Sequence, residues 1–157
     1  MTSLSRKGRY ALRALYALAA NVDAGGGPML IADLAERENI PRKFLEAILL
    51  ELKNAGVLRS KKGKGGGYVL AKNPAEIVLG DVIRTIDGPI APIPCVSERA
   101  YARCEECADE ATCGTRLVMK QVRDAIAKIL DNTTLASALE QSARARRQSL
   151  AQVAYAI

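Results

Sequence analysis

Four cysteines lie close together in the second half of the chain, as Cys95, Cys104, Cys107 and Cys113. Thiolates are the usual ligands of iron–sulfur clusters, and ligands that are close in sequence lose less entropy when they close around a metal. Four thiolates can equally complete a tetrahedral zinc site. The spacing therefore predicts that these four residues bind a cofactor or metal, and it leaves an iron–sulfur cluster, zinc and unliganded thiols open.

The chain contains no histidine, which excludes every site that needs an imidazole ligand, including the mixed cysteine and histidine sites of zinc modules. Cys104 and Cys107 form a C-x-x-C pair, which could act as a thiol–disulfide switch without metal. A thiol oxidoreductase would use the same pair, but the βαβ context of such enzymes is missing. We therefore predict that the protein is not an enzyme, and turnover of a disulfide substrate would contradict this.

A second segment with distinctive chemistry is rich in lysine and glycine. Lys61, Lys62 and Lys64 lie within residues 60–67, and the glycines there would let the backbone approach a phosphate or a minor groove closely. The segment lacks the Gly-Lys-Ser/Thr sequence of a nucleotide-binding P-loop. A net charge of +6 favours a polyanionic partner such as DNA, and a flexible basic turn without a partner is the simpler alternative.

Arg42, Lys43 and Glu46 lie at the start of a predicted helix. Arginine and lysine can donate hydrogen bonds to guanine, and a carboxylate can accept one from cytosine. The N-terminal residues of a recognition helix contact base edges in this way in helix-turn-helix proteins. Glu46 is thus a candidate for base selection, and its alternative is an ordinary glutamate on the helix surface.

The elements that would position these residues follow from apolar spacing and from glycine and proline. Helices are predicted over Ser5–Asn21, over Leu30–Glu38 and from Pro41 to near Gly56. Two short strands follow, Val57–Leu58 and Tyr68–Leu70, joined by the basic segment as a hairpin. Three helices followed by a hairpin predict a mainly α-helical, winged helix-turn-helix domain over residues 1–74.

The rest of the chain is predicted to connect this domain to a dimer interface. A helix over Leu79–Ile86 and the cysteine loop form a connection over residues 75–114. A long amphipathic helix over Thr115–Leu130 has an apolar stripe too exposed to stand alone, so we expect it to dimerise. A short helix, capped by Thr133 or Thr134, is expected to end near Leu139 and completes the dimerisation region, 115–140. Residues 141–157 are expected to form a terminal helix or a tail.

The N-terminus superficially resembles a secretory signal, with basic residues before an apolar run. Arg13 interrupts that run, and the apolar positions recur at helical spacing. No stretch reaches the roughly 18 apolar residues that a membrane span needs. We therefore expect a cytoplasmic protein.

Three stretches together are similar to the IscR/NsrR family of bacterial winged-helix regulators, also called the Rrf-two family: residues 4–13, residues 40–56, and residues 63–68. The similarity extends over nearly all of residues 4–139. It implies a homodimeric transcriptional regulator whose long helices cross, with each wing and recognition helix contacting half of a roughly palindromic site in double-stranded promoter DNA. By the same resemblance Lys43 and Glu46 would contact bases and Lys62 and Lys64 the minor groove. Arg6 and Lys7, at the start of the first helix, complete the predicted DNA-binding residues.

The resemblance also implies a two-iron or four-iron cluster on three cysteines of the loop. Cys107 and Cys113 match the last two of these, whereas the first cysteine lies farther away and Cys104 is an addition. Relatives complete the ligand set with a histidine or with an acid on the partner's first helix, where this chain has Arg9. Either Cys104 supplies the fourth ligand, or the cluster is labile or absent. The expected function is regulation of transcription in response to a cluster or to redox state, and the alternative is a cluster-free or zinc-stabilised regulator with a thiol–disulfide switch.

Overall fold

The computed structural model describes residues 4–155, with side chains described through residue 152. This part of the chain is mainly helical and carries one two-stranded antiparallel sheet. In chain order the elements are α1 (Arg6–Asp23), α2 (Ile31–Glu38), α3 (Arg42–Asn54), β1 (Leu58–Lys61), β2 (Gly67–Leu70), α4 (Leu79–Asp87), α5 (Gly114–Asp131) and α6 (Leu135–Tyr155). The order confirms the predicted winged-helix fold class.

The hydrophobic core forms where α1 to α4, the base of the hairpin and the first turn of α6 meet. Its largest fully buried side chains are Leu15, Leu18, Leu34, Leu45, Ile48, Leu49, Leu52, Leu58, Val82 and Leu135. Burial of each such side chain stabilises the fold by about 1.5–3 kcal/mol before the entropic cost of ordering it. No residue of α5 belongs to this cluster of buried residues, so the long helix has no part in the core.

Helix α1 begins where the sequence predicts. The side chain of Ser5 caps it by accepting a hydrogen bond from the backbone N–H of Gly8, which stabilises a helix start. The carboxylate of Asp87, at the end of α4, accepts hydrogen bonds from Ser5 N at 2.9 Å and Ser5 Oγ at 2.5 Å. A Cβ at Gly8 would lie 2.6 Å from that carboxylate, so a larger residue could not occupy the position without displacing Asp87.

The turn between α2 and α3 depends on Asn39. Its φ of 47° lies in the left-handed region, which asparagine tolerates better than most residues. Pro41 is the N-cap of α3, so the helix begins at Arg42, one residue later than predicted. The apolar face of α3 faces the core, which leaves the opposite face open.

The wing is longer than predicted, because β1 and β2 extend into the segment expected to form the tip. Leu58 pairs with Leu70 and Lys61 pairs with Gly67 at the two ends of the ladder. Ser60 and Lys61 lack the alternating apolar pattern that marks a strand, so pairing with the partner strand decides their conformation. Met29 and Tyr68 exchange backbone hydrogen bonds of 3.0 and 2.8 Å, which fixes the wing against the segment before α2.

Helix α6 continues to Tyr155 instead of ending near Leu139. Residues 140–152 contain no glycine or proline and are rich in alanine, arginine and glutamine, which favour helix even without burial. The start of α6 is fixed by backbone hydrogen bonds from Leu135 N to Ile77 O and from Leu79 N to Thr133 O. No helix among residues 4–155 has the length and apolarity that a bilayer span requires.

Candidate nucleic-acid interface and cysteine loop

The start of α3 presents the three predicted base-contacting residues on its exposed side. Arg42, Lys43 and Glu46 are all exposed. Arg42 Nε donates to Glu46 Oε1 at 3.1 Å, one helical turn away. The guanidinium thus lies beside a carboxylate that would otherwise repel phosphate. The N-terminal end of α3 therefore carries two hydrogen-bond donors, Arg42 and Lys43, and one acceptor, Glu46. This is the end of a recognition helix that enters the major groove.

The helical spacing of apolar residues in α3 predicts a buried stripe of Phe44, Leu45, Ile48 and Leu52, but Phe44 is not buried. Its side chain is 52% exposed, since it lies at the edge of the apolar face. The ring makes an edge contact with Tyr10 of α1 at a centroid distance of 6.4 Å. The pair joins α1 to the first turn of α3. Sequence reasoning missed Tyr10, because no local pattern indicates that two aromatic residues so far apart will meet.

The wing carries Lys61 at the end of β1 and Lys62 and Lys64 in its tip, and all three are exposed. None of them forms an ion pair with another described residue. Gly63 and Gly65 have φ values of 89° and 76°, which a side-chain-bearing residue rarely adopts. The tip therefore presents lysine charges that are free for an external anion.

Arg6 and Lys7 lie in the first turn of α1 and differ in their availability. Arg6 is exposed. Lys7 is half-buried, and its Nζ lies 2.6 Å from Oε1 of Glu51 on α3. Lys7 thus fixes α1 against the recognition helix, and a phosphate contact would compete with that ion pair.

The four cysteines line one cavity of about 770 Å³. Cys95 is buried in the short 3-10 turn Pro94–Val96, Cys104 is exposed, and Cys107 and Cys113 are half-buried. Cys113 is the N-cap residue of α5. The backbone N–H of Cys107 donates to Cys104 O at 3.2 Å, so the C-x-x-C pair forms a tight turn. The cavity thus brings all four predicted ligands around one space at the start of the long helix.

Polar contacts between near neighbours shape the rest of the loop. Tyr101 Oη donates to Glu110 Oε1 at 2.5 Å, and this hydrogen bond raises the pKa of Tyr101. Asp109 accepts hydrogen bonds from Thr112 Oγ1 at 2.8 Å and Ala111 N at 3.0 Å, and these lower its pKa. The loop therefore has a defined conformation although its side chains are largely exposed.

Two arginines attach the beginning of the cysteine segment to α5. Arg116 Nε donates to Cys95 O at 3.3 Å. Arg123 is only 8% exposed, and its Nη1 lies 2.8 Å from Glu98 Oε1. Through these contacts, a movement of the loop would displace the first three turns of α5.

The cysteine side chains that line the cavity are suitable ligands for a cluster, but they do not lie close together. Within residues 4–155, no three cysteine, aspartate or glutamate side chains lie close enough together to hold a metal ion. The soft donors nevertheless share a cavity with room for a cluster, and thiolates are the right ligand chemistry. The residues therefore fit a cluster if the exposed part of the loop draws inward to bring the sulfurs together. Arg9 is exposed and donates to Leu4 O.

One stripe of α5 is apolar and exposed. Leu117, Val118, Val122 and Ile129 are between 38% and 66% exposed. A contiguous apolar stripe of this kind on a helix outside the core is typical of a protein interface. The predicted dimerisation helix thus has an unburied face available for a second copy.

Comparison with known proteins gives consistent matches over most of the chain. A family model described as Rrf2, iron-dependent transcriptional regulator, matches residues 4–141. An rrf2-like HTH-type transcriptional regulator of Rhodobacter capsulatus is 42% identical over 133 residues, which cover 84% of this chain and 89% of that protein. The regulator IscR of Escherichia coli is 33% identical over 132 residues, covering 84% of this chain and 76% of that protein. The structure of CymR, titled the global cysteine regulator of B. subtilis, superposes with a TM-score of 0.73 at 33% identity and covers 90% of this chain and 98% of that one.

Proposed function

The chain belongs to the Rrf2 family of transcriptional regulators, DNA-binding proteins that are typically dimeric, and we propose that its cysteine loop controls promoter binding through an iron–sulfur cluster or its redox state. The observation that carries the proposal is the single cavity that all four cysteines line, at the N-terminus of the helix with the exposed apolar stripe. The sensor and the dimer interface are thus parts of one continuous segment.

In this proposal two copies pair through α5 in the cytoplasm, and each inserts α3 into the major groove of one half of a roughly palindromic site. Lys43 and Glu46 contact base edges, while Arg42 holds the Glu46 carboxylate and adds positive charge. Lys62 and Lys64 contact phosphates or the minor groove, and Lys61 and Arg6 add charge nearby. The exposure of these residues and the absence of ion pairs between the three wing lysines and any described residue support the assignment.

Cys95, Cys107 and Cys113 would hold the cluster, and Cys104 would be the fourth ligand of a self-contained site. A bound cluster supplies a redox-sensitive covalent link among these thiolates. Cys104 is exposed, so the loop must fold inward for its sulfur to reach the others. Arg116 and Arg123 would pass that movement to α5, because they hold residues at the beginning of the segment. Repositioned α5 helices would then change the spacing of the two recognition helices.

Anaerobic purification followed by visible absorption and by iron and sulfide analysis tests this proposal. The expected result is a coloured protein with equimolar iron and sulfide, and a DNA affinity that changes when the cluster is removed. Cys104→Ala is expected to lower the iron content markedly. The matched control Thr115→Ala changes another residue that lines the same cavity and should leave the iron content unchanged. A colourless, iron-free protein with full DNA affinity would contradict cluster sensing while leaving DNA binding in place.

A thiol–disulfide switch is the second candidate, favoured by the tight turn that holds Cys104 and Cys107. Hydrogen peroxide would oxidise the two thiols to a disulfide: the S–S bond forms, the peroxide O–O bond breaks, and two waters carry away the two thiol protons and both oxygen atoms. Thiol counting and DNA binding before and after peroxide, with Cys107→Ser as control, test it. Metal analysis of the same preparations distinguishes a third arrangement, zinc held by the four thiolates.

A further inference from the structure

The C-terminal half of α6 leaves the core and has no packing role in the described chain. From residue 140 to residue 152 every side chain is exposed. This segment contains Arg144, Arg146 and Arg147 but a single acid, Glu140, which pairs with Arg144 at 3.1 Å. Apart from Leu150, the segment carries polar side chains and alanines, and all of them are exposed. Its excess of positive charge points to an anionic partner.

A groove of about 320 Å³ locates this segment relative to the DNA-binding face. Arg146 lines the groove together with Arg13 of α1 and with Arg37 and Glu38 at the end of α2. Arg13 also pairs with Glu38, at 3.7 Å between Nε and Oε2. Arg37 lies five residues before Arg42, a span of at most about 18 Å of extended chain. The basic part of α6 therefore lies near the helix-turn-helix turn.

A second series of contacts connects the groove to the start of α3. The guanidinium of Arg13 lies 6.0 Å from the ring centroid of Tyr10. That ring in turn lies 6.4 Å from the ring of Phe44, in the first turn of α3. Beyond Arg146 the helix continues to Tyr155 for about 14 Å, at the usual rise of an α-helix. Arg146 thus lies on the side of the molecule where the recognition helix begins, and Arg144 and Arg147 lie within one helical turn of it.

We propose that Arg144, Arg146 and Arg147 bind the phosphate backbone of DNA next to the half-site that α3 contacts. The inference rests on the proposed DNA-binding function and extends it with a second phosphate-binding element, separate from the wing. Arginine is suited to this partner because its guanidinium donates two parallel hydrogen bonds to phosphate oxygens. Such contacts carry no sequence preference, so they extend the footprint and add to affinity on any duplex.

The salt dependence of DNA binding tests the proposal. The full-length dimer is titrated with a mixed-sequence duplex about four helical turns long, and the logarithm of the binding constant is plotted against that of the salt concentration. The triple variant Arg144→Gln, Arg146→Gln, Arg147→Gln is expected to flatten the slope by about 0.9 for each phosphate that the protein no longer neutralises. The matched variant with lysine at the three positions keeps the charge and should keep most of the slope. Circular dichroism and sedimentation check that both variants remain helical and dimeric.

Three results would overturn the proposal: a glutamine variant with the wild-type slope, an equal flattening of the slope in the glutamine and lysine variants, or a changed monomer–dimer equilibrium with an unchanged slope. The last would place the arginines at an interface between copies. A parallel Lys62→Gln variant separates this failure from that of the proposed function. If wild type binds DNA and Lys62→Gln weakens it while the α6 variant does not, only the α6 inference fails. If wild type shows no salt-dependent binding, the DNA-binding function itself fails.

Discussion

Leu34, Leu45 and Leu49 of the helix-turn-helix are fully buried, whereas between residues 98 and 113 of the cysteine loop no side chain is buried. Apolar burial from several helices stabilises the first region cooperatively. A few hydrogen bonds, such as those of Tyr101 and Asp109, shape the second. One chain thus combines a cooperatively packed helix-turn-helix with a loop held by few contacts, so opening the loop locally costs less free energy than unfolding the whole protein.

The largest effect is expected from a substitution in the core of the helix-turn-helix. Leu49→Ala removes a side chain with no exposed surface and leaves a cavity between α3 and the core, so the free energy of unfolding should fall by about 2–5 kcal/mol. Urea denaturation at fixed protein concentration measures this, because a dimer's stability depends on concentration. Leu50→Ala is the matched control. Leu50 is the next residue and 51% exposed, so its truncation should change stability by about 0.5 kcal/mol or less. Similar destabilisation in both variants would show that α3 is not anchored as described.

A smaller effect is expected where α4 contacts the end of α5. Arg84 of α4 donates to both carboxylate oxygens of Asp131, at the end of α5, at 2.6 and 2.9 Å, and this hydrogen bonding lowers the pKa of Asp131. A carboxylate with a lowered pKa in the folded state stabilises the fold above its unfolded pKa, and this is lost as pH falls through the folded value. Asp131→Asn should therefore be less stable than wild type at neutral pH by about 1 kcal/mol, a modest figure because the Asp131 side chain is 42% exposed.

Thermal unfolding of both proteins between neutral pH and about pH 2 measures this difference, which should disappear at the acidic end. Asp81→Asn is the control, since Asp81 is 69% exposed and lies 3.6 Å from the same guanidinium. Its effect should be the weaker of the two. A stability difference that persists unchanged at low pH would mean that Asp131 acts through packing instead of charge.

The sequence could predict the helix-turn-helix because its signals are local. The apolar spacing of α3, the stop at Gly56 and the paired strands around a glycine-rich tip all lie within short windows. It could not predict that Asp87 would bond to Ser5, or that Arg84 would bond to Asp131, since these pairs are far apart in sequence and polar. Phe44 was expected in the buried stripe because periodicity does not separate the edge of a helical face from its centre.

The cysteine loop was predictable in composition but not in conformation. The types and spacing of the cysteines indicated a soft-metal or redox site, and the structure shows that all four share one cavity. The burial of Cys95 against the exposure of Cys104 could not be inferred, because loop backbone conformation depends on contacts such as that of Arg116 with Cys95. The sequence predicted a short helix followed by a terminal helix or tail, whereas α6 is continuous to Tyr155, because its second half lacks the buried apolar spacing by which surface helices are recognised.

Because the loop between residues 98 and 113 has no buried side chain, disturbing one of its contacts should change local order but not global stability. Asp109→Ala removes the acceptor for Ala111 N and Thr112 Oγ1. We expect global stability to remain almost unchanged and amide hydrogen exchange between residues 98 and 113 to become faster. Glu106→Ala, an exposed loop carboxylate, is the control. Because the contact with Thr112 lowers the pKa of Asp109, the wild-type loop should also lose protection as pH falls below the ordinary range of an aspartate. Exchange that is unchanged in Asp109→Ala would mean that other contacts hold the loop.

The smallest expected effect concerns Tyr101, whose hydroxyl donates to Glu110 across the loop. Because ionisation of the phenol removes the donated proton, this hydrogen bond raises the pKa of Tyr101 above its usual value. A group with a raised folded pKa contributes stability below its unfolded pKa and loses it as pH rises, so the contact should weaken only in strongly alkaline solution.

Ultraviolet titration of wild type minus Tyr101→Phe isolates this phenol, and Glu110→Gln should shift its midpoint downward. Tyr101 is exposed and Glu110 is half-buried in a loop with no buried side chain, so unfolding should be almost unaffected by either change. A measurable loss of global stability in Tyr101→Phe would mean that the loop is part of the cooperative fold, and the contrast between the two regions would not hold.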